Sequence, residues 1–372
     1  MTPFRWLPEH VATIGDNGYS VAPVFARAIV PNILPGHDVW DHWPVLHEDG
    51  SLAEVDGGFL VIALTAPTAL DPDRRHDVAR MRLFHVIDRR FRDLGHVLPS
   101  ALSPGTREWA GSAVMLPGGS RIKLYFTAAG RRSEKILNYH QRLFEAVAEL
   151  AVTDGATALS IWEPPVESVR ADGVMYEAHT EGGGAIGTIK AFRDPFYFRS
   201  PTGEDLLLFT ASDPRVESAW NGLVGLARRE NGEWKLHPPL VSAPGLNNEL
   251  ERPHALVHNG GVYLFWSTQR KVFRPGGPTG PTGLYGVVAD RWGAPWRPLN
   301  GTGLVFANPA AAPYQAYSFQ VLPDLAVGSF ADMPETNSVP ADAPGRRERF
   351  IGGPAPPLRL ALHGEEAGIV AG

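Results

Sequence analysis

What most restricts the fold of this chain is a recurrence of short apolar runs, most of them four to seven residues long, each closed off by glycine, proline or aspartate. They fall at Phe59–Leu64, Leu83–Ile87, Ile122–Phe126, Leu206–Phe209, Leu223–Leu226, Val262–Trp266, Leu284–Val288, Gln320–Leu322 and Leu358–Leu362. Their β-branched and aromatic content reads as strand. The punctuation between them, as in Leu116-Pro-Gly-Gly-Ser120, Asn259-Gly-Gly261 and Arg274-Pro-Gly-Gly-Pro278, reads as turns. A chain with 40 glycines, 34 prolines and 17 phenylalanines in 372 residues is poorly suited to helices. An all-β protein of this size closes into a propeller or stacks its sheets. No Ser/Gly linker, charge block or compositional break divides the sequence, so residues 1–372 read as one domain.

One segment resists this pattern. Ser133 to Val152 is rich in Ala, Glu and Leu, and Leu143, Val147 and Leu150 fit a 3.6-residue period, which favours a helix of about five turns. Arg142 to Ala151 fits a long strand as well, and both readings stay open.

Charge and composition narrow the partners. A net charge of -6 argues against nucleic acid and anionic membranes, leaving a neutral substrate as the expectation. No run reaches the ~18 apolar residues of a membrane span. Met1 to Ser20 holds Arg5 but no continuous apolar stretch, so no secretory signal is expected there. With no cysteine, there is neither a disulfide nor thiol chemistry, and the redox compartment stays unread.

If inner strands converge on a shared axis, catalytic groups are isolated acids set far apart in sequence. Three such stations stand out. Asp38-Val-Trp-Asp-His-Trp-Pro44 places Asp41 between Trp40 and Trp43, with Pro44 expected to stop the segment. A carboxylate among indoles is partly desolvated and can be tuned as nucleophile or proton carrier, and the indole faces suit the apolar C–H patches of a sugar. Phe192-Arg-Asp-Pro-Phe-Tyr-Phe198 places Asp194 beside Arg193, whose fork can clamp hydroxyls, with Pro195 expected to end the backbone pairing. Asn247-Asn-Glu-Leu-Glu-Arg-Pro-His254 carries Glu249 and Glu251, which on a strand would point to one face. Two close carboxylates cannot both ionise freely, and the one with the raised pKa suits a general acid. Taken singly, each station also reads as a core turn, an Arg-Asp pair or a solvated edge.

Together they are more specific. Trp-Asp-x-Trp-Pro at 40–44, Glu-Trp-Ala-Gly-Ser at 108–112, Arg-Asp-Pro at 193–195, Glu-x-Glu-Arg-Pro at 249–253 and Ala-Tyr-Ser at 316–318, in that order, resemble glycoside hydrolase family 68. That family holds levansucrases, inulosucrases and bacterial β-fructofuranosidases, and the motifs span roughly residues 35 to 355. The resemblance implies a five-bladed β-propeller with a central funnel-shaped pocket. It also implies a retaining transfer of fructose from sucrose to water or a sugar acceptor. It gives Asp41 the part of nucleophile, Glu251 that of acid/base and Asp194 that of transition-state stabiliser. Trp40, Trp109, Arg193, Glu249, Arg252, Gln269 and Tyr317 match substrate-holding positions. The resemblance implies action outside the cell; with no signal read in Met1 to Ser20, a cytoplasmic place or a non-classical export route stays open.

The departures carry expectations too. Ala110 stands where many Gram-positive levansucrases have serine, which places the chain nearer the Gram-negative branch. Gln269 replaces an arginine or histidine tied to acceptor binding, and Thr210 stands where glutamate is common, so hydrolysis and short products are expected over long levan. Asn248 replaces an aspartate that helps bind calcium in some members, so no metal is expected, and no cofactor. Arg270 and the loop from Phe273 to Gly283 are expected to join Gln269 at the outer rim. His37, His42 and His47 fit no ligand set and read as polar loop residues, with His42 near enough to Asp41 to line its pocket. Gly182 to Gly187 satisfies GxGxxG without the following helix a nucleotide needs. Asn300-Gly-Thr302 is a glycosylation sequon by pattern alone. Oligomeric state and product linkage stay unread. Two readings compete with a fructosyl enzyme: a propeller that binds fructosides without catalysis, and another five-bladed glycosidase acting on arabinan or xylan.

Overall fold

The computed structural model describes residues 2–15, 18–68, 71–132, 134–153, 156–178 and 189–370. Among the described residues, twenty strands form five successive antiparallel runs of four, and five short strands pair with members of these runs. Each run opens on a leading strand: His37–Leu46, Arg107–Met115, Phe192–Arg199, Glu251–His258 and Ala316–Val321. The first two runs are joined edge to edge by a short parallel pairing of Val45 and Leu46 with Ala113 and Val114. The nine apolar runs read from sequence fall on strands, with Leu322 alone standing one residue past a strand end.

The undecided segment is a strand, Gln141–Thr153, not a helix. Phe144, Ala146 and Ala148 are buried alternately, a period of two, and the strand pairs with Arg121–Ala129 over nine positions. A Lys123–Glu145 ion pair at 3.3 Å ties the two strands on one face. Helix propensity loses here because this apolar face is buried only when the strand lies in the sheet.

Apolar clusters fill the spaces between consecutive runs. Tyr125 and Leu143 of the second pack with Phe192 and Phe209 of the third. Leu206 and Leu226 of the third pack with Leu264 and Trp266 of the fourth, and Phe265 and Phe306 of the fourth pack with Phe319 and Val327 of the fifth. Tyr317 and Phe330 of the fifth then join Trp40 and Trp43 of the first. The five runs therefore bury their faces in cyclic order.

Each leading strand breaks its register at one place: between Trp40 and Trp43, Trp109 and Gly111, Arg193 and Phe196, Glu251 and His254, and Tyr317 and Gln320. Such bulges re-aim a side chain and sharpen the local twist. Four of them carry a non-glycine residue with positive φ: Asp41 (40°), Asp194 (58°), Arg252 (50°) and Ser318 (63°). Left-handed backbone at non-glycine residues costs on the order of 1 kcal/mol or more each, and it persists where surrounding contacts hold it. Pro44 does not stop its strand, which runs on to Leu46; the second neighbour begins only at Val45, so a missing donor is tolerated one residue earlier. Pro195 likewise sits inside a bulge and pairing resumes at Phe196.

Candidate active site

The bulges bring the three acidic stations to one cavity of about 190 Å3. Asp41, Asp194 and Glu251 line it, with Trp109, Arg193, Glu249, Arg252 and Tyr317. A second, outer chamber of about 220 Å3 shares Asp41, Glu249, Glu251 and Tyr317, carries the fully buried Trp40 and the half-buried Gln269 on its wall, and reaches the surface at the exposed Lys271 and Val339. Of the expected site residues, Trp40 and Gln269 thus belong to the outer chamber. Trp43 lines neither: it is fully buried, with the Arg252 guanidinium 5.7 Å from its ring.

Arg193 holds the acidic groups in place. Its Nη2 donates to Glu251 Oε1 at 2.9 Å and lies 3.4 Å from Glu249 Oε1, while its Nε is 3.6 Å from Asp194 Oδ2. The second oxygen of Glu251 accepts the Tyr317 hydroxyl. Glu249 and Glu251 do not share a strand face as the sequence suggested. Glu249 precedes the strand, its N–H caught by Asn247 Oδ1 at 2.8 Å, and the common partner Arg193 brings the two carboxylates together. Burial raises the Glu249 carboxyl and the Glu251 charge adds to it, against the pull of Arg193.

Asp41 is held differently. Burial pushes its carboxyl up; the Arg252 guanidinium and the Ser318 hydroxyl oppose this, and the Glu251 charge adds to it. Arg252 is itself braced, donating to Ser318 Oγ at 2.6 Å and to the His42 carbonyl at 3.1 Å. Asp194 is pushed up to about 7 by burial, opposed by Arg193 and reinforced by the Glu251 and Asp41 charges.

Two threonines connect the bulges, and sequence reading missed that role for both. Thr210 Oγ1 donates to Asp194 Oδ2 and accepts the Arg252 N–H, each at 3.1 Å. Thr127 Oγ1 donates to the Ala110 carbonyl at 3.0 Å and accepts the Asp194 N–H at 2.9 Å. A hydroxyl that donates and accepts at once suits a site where an N–H freed by a bulge needs a partner. His76 was missed as well. It is flanked by the Trp40 and Trp109 rings at 5.5 and 6.3 Å, burial drives its pKa well below 6.5, and it lines both chambers as a neutral imidazole. Its surroundings, Asp71-Pro-Asp-Arg-Arg-His-Asp77, carry none of the motifs that marked the acidic stations.

Other expectations need correction. His42 does not line the acidic cavity; its Nε2 faces the Ser329 carbonyl at 2.9 Å, and the residue lies on a strand. Among the described residues, neither Arg270 nor the segment Phe273 to Gly283 forms a wall of either chamber; Lys271 and Tyr314 stand beside Gln269 instead. Phe273 is core. Glu108 of the second motif is structural, its carboxylate accepting the Met81 N–H at 2.9 Å and pairing with Arg80 at 3.1 Å. The Gly182–Gly187 pattern lies outside the described residues. Among the described residues, no cluster of three His, Asp or Glu side chains has metal-binding geometry. Asn248 Oδ1 accepts from Lys190 Nζ at 3.1 Å.

Comparison with known proteins matches this geometry to a family. The profile described as Levansucrase/Invertase, glycoside hydrolase family 68, matches residues 12–221 and 208–371. A levansucrase of Pseudomonas savastanoi pv. glycinea is 30% identical over 98% of this chain and 94% of its own length. An extracellular sucrase of Zymomonas mobilis is 30% identical over 88% of this chain and 83% of its own. The structure of an inulosucrase from Halalkalicoccus jeotgali bound to kestose superposes with a TM-score of 0.90 at 35% identity, covering 99% of this chain and 95% of that one. The chain belongs to glycoside hydrolase family 68, the levansucrase/invertase family of enzymes.

Proposed function

We propose that this protein is a retaining β-fructosyltransferase and β-fructofuranosidase that takes sucrose as donor and acts outside the cell. In this reading the five strand runs are the blades of a five-bladed propeller whose axis is the acidic cavity, within one domain. Asp41 attacks C2 of the fructosyl unit, the C2–O bond to glucose breaks, and Glu251 gives its proton to the departing glucosyl oxygen. Glu251, now a carboxylate, takes a proton from water or from a sugar hydroxyl; that oxygen attacks C2, and the bond to Asp41 breaks. Asp194 accepts hydrogen bonds from fructosyl hydroxyls and steadies the positive charge that develops on the ring. Trp40 and Trp109 wall the sugar, and Arg193, Arg252, Glu249 and Tyr317 hold it.

The observation that carries this reading is how differently the two reacting carboxyls are held. Glu251 is gripped at both oxygens, by Arg193 at 2.9 Å and by Tyr317, whereas Asp41 lies on its own bulge under the influence of Arg252 and Ser318. A double displacement needs one ionised and one protonated carboxyl on opposite sides of the bond. The matching names of relatives, levansucrase, sucrase and inulosucrase, fit the same chemistry. Glucose release from sucrose, followed by a coupled assay, tests it: Asp41→Asn and Glu251→Gln should each lose at least about a thousandfold in kcat with thermal unfolding unchanged. Sucrose cleavage retained in Asp41→Asn overturns the mechanism.

Gln269 in the outer chamber supports hydrolysis and short products over polymer. A neutral amide binds a second sugar less firmly than a guanidinium, which donates in a fixed fork. Gln269→Arg should lengthen the transfer products resolved by chromatography; an unchanged product profile removes this position from the account.

A further inference from the structure

The outer chamber holds a carboxylate that the reaction steps leave unused. Asp332 follows directly on the strand Ala326–Ala331, and its backbone is engaged on both sides. Its N–H donates to the Gln315 carbonyl and its own carbonyl accepts the Ile351 N–H, both at 3.0 Å. Its side chain makes no hydrogen bond or ion pair with any described residue, and it opens into the chamber between the site and the outer rim. Burial nevertheless raises the carboxyl, to about 6, against the pull of Arg75 and Lys271.

Asp332 is half-buried, and a carboxylate partly withdrawn from water with no protein partner calls for an explanation. Three features say what satisfies this one. First, the chamber is continuous with the reacting groups, since Asp41, Glu249, Glu251 and Tyr317 line both cavities. Second, the chamber wall also carries Gln269, Lys271 and Tyr314, which offer amide, ammonium and phenol groups beside apolar Met333 and Val339. That mixture of hydrogen-bonding and apolar surface suits a polyhydroxyl ring. Third, Asp332 is placed by backbone bonds alone, so its side chain serves no visible structural need.

We infer that Asp332 is a specificity-determining residue, accepting hydrogen bonds from the second sugar and so setting how often the fructosyl unit passes to a sugar rather than to water. The second sugar is the departing glucosyl unit in the first step and the incoming acceptor in the second. Water needs no such anchor, so its attack is indifferent to Asp332. The inference rests on the fructosyl-transfer reading above and assigns one side of its outer chamber.

The test uses the full chain with sucrose alone and with sucrose plus lactose, measuring glucose for total turnover and free fructose for hydrolysis. Asp332→Asn and Asp332→Leu should raise KM for sucrose and lower the transfer-to-hydrolysis ratio about tenfold, the size expected for losing hydrogen bonds to a charged group. The kcat for hydrolysis should stay within about twofold, because an interaction with the leaving and accepting sugar is not one with water. An unchanged ratio in both variants overturns the inference. So does a fall in kcat with the ratio kept, which is the signature of a structural role. Thermal unfolding separates out misfolding, and the near-isosteric Asn variant carries the test if the Leu variant unfolds. Should the wild-type protein release no glucose from sucrose, the fructosyl-transfer reading itself fails, whatever Asp332 does.

Discussion

Asp194 shows at single-residue scale how stability and chemistry oppose each other. Its carboxyl, raised to about 7 by burial, binds a proton more tightly in the folded protein than in the unfolded chain, where the value is about 4. Ionising it therefore costs stability; the cost is absent below about pH 4 and grows as pH rises to about 7. Asp194→Asn removes that cost. It should unfold at a temperature a few degrees above wild type at pH 8, measured calorimetrically, with the difference vanishing toward pH 4 and sucrose turnover lost throughout. A Tm equal to or below that of wild type at pH 8 would contradict the buried, charge-crowded setting assigned to this carboxyl. The surrounding hydroxyls work the other way, since Thr210 holds Asp194 and the Arg252 N–H at once.

At the scale of elements, the sequence displayed its strands far better than the breaks within them. Period and turn chemistry are local, so the nine apolar runs could be read directly. The bulges at Asp41, Asp194, Arg252 and Ser318 could not, because their support comes from other strands: the Thr127 hydroxyl takes the Asp194 N–H and the Thr210 hydroxyl takes the Arg252 N–H. Prolines 44 and 195 were visible as interruptions, but their meaning depended on where a neighbouring strand begins. The convergence of Glu249 and Glu251 was anticipated for the wrong reason: a shared arginine, not a shared strand face, joins them. Lys190 illustrates what remains hidden at this scale. Its ammonium donates to Ala219 O at 2.7 Å, Asn221 Oδ1 at 3.0 Å and Asn248 Oδ1 at 3.1 Å. All three donors are used to tie the approach to Arg193 and Asp194 to the approach to Glu249 and Glu251. Lys190→Met leaves those acceptors unmatched and should cost about 1–3 kcal/mol in urea unfolding. A neutral result would mean that the two approaches are held without the ammonium.

Over the whole molecule, the segment nearest the N-terminus is bound to two different sheets. Phe4–Arg5 pairs in parallel with Val241 and Ser242, and Ser20–Val21 with Phe306 and Ala307. Between them Trp6 is fully buried, its ring 5.0 to 5.6 Å from those of Tyr285, Trp266 and Phe273, and its Nε1 donates to the Thr302 carbonyl at 2.9 Å. Trp6→Ala should therefore cost about 3–5 kcal/mol in urea unfolding, a core-sized loss at a position that sequence alone would treat as peripheral. Acid has a whole-molecule effect as well. His42 and His254 are both lowered to about 4 by burial, and His254 is bonded at each nitrogen, to the Arg252 carbonyl at 3.0 Å and the Val321 N–H at 2.9 Å. A histidine kept neutral in the folded state takes its proton more readily when unfolded. The stability it lends is whole above about pH 6.5 and drains away as pH falls toward about 4. Asp194 contributes with the opposite sign over that window, so the histidine share shows as a difference: as pH falls from about 6.5 toward 4, the urea midpoint of His254→Gln should gain relative to that of wild type.

The arm that carries Trp6 also sets an order of events during synthesis. Its two docking strands end at Ser242 and Ala307, so its partners leave the ribosome some 240 and 300 residues after it does. At about 5–20 residues per second, that leaves a large indole and two unpaired strand edges waiting in solution for tens of seconds. Residues made early are placed late, and the interval before residue 307 emerges is when the nascent chain is most open to strand pairing with a neighbour and most dependent on whatever shields it.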